Sequence, residues 1–530
     1  MSRLFSGIDC STQSCKLVLI DFDLSEVIYT DLVNYDQDLP QYNTLNGVIQ
    51  GLGEGISESD PQMWIDAIEL LFDRLKKASV PPHEIKAFSV SGQQHGLVCL
   101  DQEGNLSRSR SKLWNDFSTR EECELLTDAV GGVEQMIAEV GNTQRTGYTA
   151  SKIFHFARHE PEAFARTTTC FLVHNFINWY LTGGKNNGVR AMEPGDTSGM
   201  ALWHPGKGEW SQKVIDSISP ILKQKLLPVL LSDQSLGTIS TDLVNRYGFH
   251  PDCKIDAGSG DNMYGAIGTG NVTPGIVTIS LGTSGTAYTF MEQPFIDPEG
   301  EIAAFCDSTG NHLPLLCVSN LANGYNALLQ QYRLTHEQFN KAANQINPGC
   351  DGRILIPWYA GERTPDVPLA APLYFGFDLD DFKKEILCRA VLEGHILNLY
   401  DGFQRMPVTA KEIRLTGGLS QSEVWCQTIA DIFEAEVVPV QGEGAALGAA
   451  LHAAWVYLKE QRQEIPLQQV VEPFVTLQEN RRKSPVSKNV QRYRIVKKLY
   501  HTLSKMIRKQ KVEFNPFELR NQLIKIDSND

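Results

Sequence analysis

A short apolar run that meets small hydroxyl residues and then resumes occurs twice in this chain, about 270 positions apart, and no other feature narrows the fold as far. The first copy is Gly7-Ile8-Asp9-Cys10-Ser11-Thr12-Gln13-Ser14, continuing as Lys16-Leu17-Val18-Leu19-Ile20. The second is Val277-Thr278-Ile279-Ser280-Leu281-Gly282-Thr283-Ser284-Gly285-Thr286, continuing as Ala287-Tyr288-Thr289-Phe290. Each predicts a strand, a tight polar turn and a second strand. Two copies so far apart predict two related domains, not a solenoid of short repeats.

The segments between and after them alternate strands with amphipathic helices, the pattern of an α/β architecture. Met63, Trp64, Ala67, Leu70, Leu71 and Leu75 share one helical face, and residues 85–91 read as a strand that ends at Gly92-Gln93-Gln94-His95-Gly96. Ile413-Arg414-Leu415-Thr416 is strand-like and runs into Gly417-Gly418. Ser420 with Glu423 then reads as a capping box for a helix carrying Trp425, Ile429, Ile432 and Phe433. The stretch 263–272, with Gly265, Gly268 and Gly270, marks a boundary, and its glycines predict close helix packing. A charged, Pro-containing segment at 472–488 sets off a helical tail. The expected division is residues 1–263, 264–475 and 476–530.

Charge and apolar content then exclude several classes. With 48 basic against 63 acidic residues and a net charge of −15, non-specific attraction to nucleic acid or an anionic membrane is disfavoured. No stretch reaches the roughly 20 apolar residues of a membrane helix; residues 171–181 are broken by His174, Asn175 and Asn178. Asp9 precedes any signal-peptide apolar region, and eleven scattered cysteines without CxxC pairs fit reduced, core-filling thiols. A cytoplasmic protein is expected, with a homodimer compatible. The basic stretch 481–511, with Leu499, Leu503 and Ile507 on one helical face, predicts a surface helix packed on the second domain rather than a nucleic-acid arm.

Hydroxyl-rich turns offer backbone N–H groups that can nest phosphate oxygens. Taken singly, either hairpin reads equally well as an ordinary Ser/Thr turn; the pairing favours phosphate. Asp9, at the lip of the first turn, suits a hydrated Mg²⁺, which needs only one or two carboxylates. No Gly-x-x-x-x-Gly-Lys-Ser/Thr loop is present, which excludes a P-loop kinase. Gly417-Gly418 before a helix is either a turn or a place where a nucleotide approaches the backbone. Asp261, in Gly258-Ser259-Gly260-Asp261-Asn262, is either a cap or a carboxylate that takes the proton of an attacking hydroxyl. Gln94, His95 and Asn262 would then bind a polyol. Trp114 is read as more often a core residue than a sugar platform.

At this point the sequence resembles the FGGY family of carbohydrate kinases, from Gly7 to about Trp455. The likeness is carried by the two hairpins, Ser91-Gly92-Gln93-Gln94-His95-Gly96, Trp114-Asn115-Asp116, Gly260-Asp261-Asn262, Gly361-Glu362-Arg363-Thr364-Pro365, and Gly417-Gly418 through Gly448-Ala449-Ala450. It implies two actin-like, ribonuclease-H-type α/β domains with an interdomain active-site cleft, using ATP and Mg²⁺ to phosphorylate D-xylulose. It implies Asp261 as general base, Asp9 as the metal-associated acid, and sugar contacts at Gln94, His95, Asp261 and Asn262. Nucleotide contacts are implied at Ser11, Thr12, Gln13, Thr283, Gly417, Gly418 and Ser422. Cys10 and Leu419 stand where many members carry Gly. Alternatives are another acceptor (ribulose, gluconate or glycerol) or a non-catalytic sugar or nucleotide sensor.

Overall fold

The computed structural model describes residues 3–78, 80–442 and 444–528, with side chains to residue 525. The ends of the expected first and last segments, Met1, Ser2, Asn529 and Asp530, lie outside them. The chain forms two compact units. The first holds the described residues up to Thr273 together with Phe290–Leu313 and Gly442–Val475; the second holds Pro274–Thr289, Pro314–Gln441 and the described residues from Thr476 on.

In the first unit the duplicated hairpin is the antiparallel pair Leu4–Cys10 and Ser14–Asp21, extended by Glu26–Asn34. On its other side Leu4–Cys10 pairs in parallel with Ile85–Gly92, which pairs in parallel with Lys254–Asp256. The antiparallel edge strand Ser235–Thr238 follows. Successive residues of a strand point to opposite faces, and both faces here are covered. Phe88 meets Phe72 of the helix Pro61–Lys77 at 5.7 Å between ring centres. Its neighbour Ala87 packs with Ala446, Ala449, Ala450, Ala453 and Ala454 of the helix Gly444–Glu460.

This last helix explains why the units are interleaved in sequence. Its small-residue face lets it lie close to the first sheet and to the helix Asp261–Gly268; a Cβ on Gly448 would sit 1.9 Å from the Tyr264 carbonyl oxygen. Residues 264–273, 290–313 and 442–475 group with the first unit, and the chain passes to the second unit at Val475/Thr476. The glycines around 265–270 do serve helix packing: a Cβ on Gly268 would meet the Gly444 carbonyl oxygen at 2.2 Å.

The second unit repeats the strand order. Ile276–Leu281 and Gly285–Thr289 form the hairpin, Leu315–Val318 extends it, and Glu412–Thr416 then Glu436–Gln441 add in parallel, followed by the antiparallel Thr476–Leu477. Both sheets thus run third, second, first, fourth and then one further parallel strand, which is ribonuclease-H topology. The helix Lys384–Phe403 packs against Glu423–Phe433 and the tail helix Ser487–Ile507. Arg389 Nε donates to Glu393 at 2.5 Å and its Nη2 to the Tyr493 hydroxyl at 2.7 Å, pinning the tail. Leu499 and Leu503 are buried as expected, whereas Ile507 is exposed because the last turn runs past the packed surface.

All eleven cysteines are unbridged and ten are buried. No helix among the described residues is long and apolar enough to cross a membrane.

Candidate active site

The register of the first sheet assembles the first group of polar residues. Asp9 stands abreast of Ser91, and Ser91 abreast of Ser259; one step on, Cys10, Gly92 and Gly260 form the next row. The chain leaves these rows at the carboxyl ends of parallel strands, where α/β sheets bind ligands. Asp261 follows immediately as the first residue of a helix.

Ser91 Oγ donates to Asp9 Oδ1 at 2.7 Å. Burial pushes the Asp9 carboxyl up to about 6, against the pull of the Ser91 hydrogen bond and of Lys16. Burial, then the carboxylates of Asp9 and Asp196, push Asp261 up to about 8. Neighbouring acids with separated protonation ranges are the arrangement from which a general base can be drawn. Asn262 Nδ2 donates to Gln94 Oε1 at 2.6 Å and to Asp261 Oδ1 at 3.1 Å, so Gln94, Asn262 and Asp261 form one cluster. His95 follows Gln94, is nearly buried, and adopts a left-handed backbone at φ +65°.

The turn after Asp9 is closed by Ser11, whose N–H and Oγ both donate to the Ser14 carbonyl at 3.0 Å. Thr12 Oγ1 accepts from Trp114 Nε1 at 2.9 Å and donates to Gln93 Oε1 at 3.4 Å. Gln13 is exposed beside them. Trp114 is not a core residue: it is 42% exposed, its indole N–H spent on the turn. Asp116 is the buried member of its motif, accepting from Ser57 N at 2.9 Å and Ser118 N at 3.1 Å.

In the second unit the corresponding turn carries Thr283, whose carbonyl accepts from Leu321 and Ala322 N–H groups at 3.1 Å. Gly417, at φ +84°, lies against the strand that leads into this turn; a Cβ there would be 2.5 Å from the Leu281 carbonyl oxygen. Gly418 is exposed, with nothing within 4 Å of where a side chain would stand. Thr283, Gly417 and Gly418 therefore share one end of the second sheet. The helix beyond is Glu423–Phe433, capped by Ser422 and not by Ser420, because residues 418–421 first make a 3₁₀ turn. Ser422 Oγ both caps Trp425 N–H at 3.5 Å and donates to Asn340 Oδ1 at 3.0 Å, so its hydroxyl is already engaged.

Among the described residues no cluster of three or more His, Cys, Asp or Glu is arranged as a metal cage. A hydrated Mg²⁺ needs less. Asp9 suits it: Oδ1 is held by Ser91 and the side chain is only partly buried.

Lys152, His174, Glu193 and Asp196 are buried beside the sugar-binding candidates, all at or near zero exposure, and of these Glu193 and Asp196 escape sequence reading. Burial lowers His174 to about 4 and raises Glu193 to about 8. Their only sequence signal is polar residues inside otherwise apolar or capped segments.

Two sheets of one topology, each ending in small-residue turns, define the class as an actin-like α/β fold. Residues 4–268 match the N-terminal domain and residues 277–457 the C-terminal domain of the FGGY family of carbohydrate kinases. The chain belongs to that family and is a sugar kinase, a phosphotransferase. It is 35% identical over 510 residues to the xylulose kinase of Haemophilus influenzae, covering 94% of this chain and 99% of the relative. It is 31% identical to that of Streptomyces rubiginosus, over 85% and 87% of the two chains. The crystal structure of xylulose kinase from Bifidobacterium adolescentis superimposes with a TM-score of 0.79 at 25% identity, over 93% of this chain and 99% of that one. The Plasmodium falciparum glycerol kinase structure shares the fold, with a TM-score of 0.80 at 17% identity over 97% and 99%.

Proposed function

We propose that this kinase transfers the γ-phosphoryl group of Mg·ATP to the terminal hydroxyl of D-xylulose, giving D-xylulose 5-phosphate, in the cytoplasm. The observation that carries the reading is the Asp261 carboxylate, raised to about 8 and joined through Asn262 to Gln94. Once deprotonated, a carboxylate of that basicity takes a hydroxyl proton more readily than an ordinary aspartate does. The choice of ketose is supported by the relatives named xylulose kinase.

In this reading Gln94, His95 and Asn262 orient the ketose by hydrogen bonds, and Asp261 accepts the proton as the hydroxyl oxygen attacks phosphorus. Ser11, Thr12, Gln13, Thr283 and Gly417-Gly418 take the nucleotide phosphates and adenosine through N–H and hydroxyl donors, with Ser422 capping the adjoining helix. Asp9 would hold Mg²⁺, which when bound would supply charge neutralisation at the phosphates.

The test is an ADP-release assay with D-xylulose, D-ribulose, gluconate and glycerol as acceptors. D-xylulose is expected to give the highest kcat/KM, and a clear preference for glycerol or gluconate would replace it. Asp261→Asn is expected to lower kcat by about 10²-fold or more with sugar affinity nearly kept. Near-wild-type turnover in that variant removes Asp261 from the role.

A further inference from the structure

The left-handed backbone of His95, φ +65°, is strained for a non-glycine residue and must be held by its surroundings. Side chains remote in sequence hold both of its backbone polar groups. Its N–H donates to Asp196 Oδ1 at 3.3 Å, and its carbonyl accepts from Lys152 Nζ at 2.8 Å and Thr149 Oγ1 at 3.2 Å. Lys152 Nζ also donates to the Gly147 carbonyl at 2.7 Å. Asp196 and Lys152 are both fully buried, where a charge is costly unless well partnered.

The same Asp196 oxygen accepts from Gln94 Nε2 at 3.4 Å and lies 3.3 Å from His95 Nδ1. Asp196 cannot drift, because Glu193 caps its short helix, accepting from Asp196 N at 2.8 Å and Gly195 N at 2.6 Å. Nor can the imidazole turn freely. It sits 5.0 Å from the Tyr148 ring and 5.7 Å from the Phe305 ring, and a Cβ on Gly199 would be 2.2 Å from its Cε1. Burial lowers the His95 pKa, so the ring is neutral near pH 7 and one nitrogen only carries the proton.

We propose that Asp196 is a positioning residue for the sugar-binding pair. Opposite Lys152, it fixes the left-handed turn at His95 and holds the ring as the Nδ1–H tautomer, so that Nε2 acts as acceptor for a sugar hydroxyl. The proposal rests on the reading of Gln94 and His95 as sugar contacts.

Two measurements test it. Nitrogen-15 spectra of the histidine side chains, with His95 assigned through His95→Gln, should show Nδ1–H in the wild-type enzyme near pH 7 and a shift toward Nε2–H in Asp196→Asn. An Nε2–H tautomer in the wild type overturns the proposal, whatever sugar the enzyme takes and whether or not the variant folds. Kinetically, Asp196→Asn should raise the KM for D-xylulose about tenfold and leave the KM for ATP within about twofold, and this effect should shrink several-fold in a His95→Gln background, where only Gln94 is left for Asp196 to position. An equal rise in both KM values, or a full effect without His95, assigns Asp196 a general structural role and overturns the proposal. Failure of the wild type to phosphorylate D-xylulose would sink the substrate reading alone, with the tautomer still deciding the positioning claim.

Discussion

Asn262 donates its side-chain amide to Gln94 at 2.6 Å, joining two residues 168 positions apart, and the same nitrogen reaches Asp261 at 3.1 Å. One amide therefore aligns a polyol-binding candidate and the proposed base. Removing it should misplace both. Asn262→Ala is expected to raise the KM for D-xylulose and lower kcat together, reducing kcat/KM by about 10²-fold, in keeping with the sensitivity of phosphoryl transfer to misplaced groups. Steady-state kinetics at saturating ATP checks this; a loss confined to the ATP KM would place Asn262 elsewhere.

The basicity of Asp261 sets a pH profile. Burial contributes first and the Asp9 and Asp196 carboxylates next, and together they raise the group to about 8. Because the base works when deprotonated, kcat/KM should rise with pH on an acid limb whose midpoint lies far above the ordinary carboxylate value of about 4. Asp9→Asn removes one of the two repelling charges and should move the Asp261 titration in the free protein to lower pH, read by carbon-13 spectra of the carboxyl. An unmoved midpoint would mean that burial alone sets it.

The same raised pKa makes a statement about stability. A carboxyl that is harder to ionise in the folded chain than in the unfolded one favours folding while protonated. Its contribution is fully present below about pH 4 and is lost as pH climbs toward 8. Asp261→Asn, which stays neutral, should therefore melt a few degrees above the wild type at pH 8 and match it near pH 4. Partial exposure of the side chain moderates the size but not the sign. Calorimetry at the two pH values decides it: a variant less stable at pH 8 would show that Asp261 is stabilised as a carboxylate.

Much of this was legible in the sequence because it depends on local chemistry. The duplicated hairpins, the strand before Gln94 and the helix face of Met63, Trp64, Ala67 and Leu71 follow from periodicity and turn residues, and all were found where expected. What was hidden depends on contacts between distant segments. The Ala-rich helix Gly444–Glu460 gives no sign in sequence that it covers the first sheet instead of the second. Ser422 displaced Ser420 as the cap because an intervening 3₁₀ turn has no strong residue signature. Trp114 turned out exposed because its indole N–H found Thr12, 102 positions away. Asp196 and Lys152 acquire meaning only once His95 is placed above them.

One more buried pair carries a distinct pH signature. His452 Nε2 donates to the Ser308 carbonyl at 2.7 Å, while its Nδ1 lies 2.9 Å from Asp256 Oδ2. Nδ1 also lies 3.2 Å from the Tyr264 hydroxyl, and an imidazolium would donate to Asp256 and to the Ser308 carbonyl at once. Burial works against that charge, but Asp256 and the Ser308 carbonyl outweigh it and raise the pKa above the usual histidine value. The pair anchors the strand end that leads to Asp261, since Asp256 Oδ1 also accepts from Ser89 Oγ at 2.7 Å and Gly258 N at 2.8 Å. A raised folded-state pKa contributes stability fully below the unfolded value of about 6.5 and loses it as pH rises through the folded value. His452→Gln leaves Asp256 without its cation and should cost about 3–5 kcal/mol at pH 6, less at pH 9. Denaturant unfolding of both proteins at the two pH values measures the difference; a penalty independent of pH would show that His452 is neutral and that its role is packing alone.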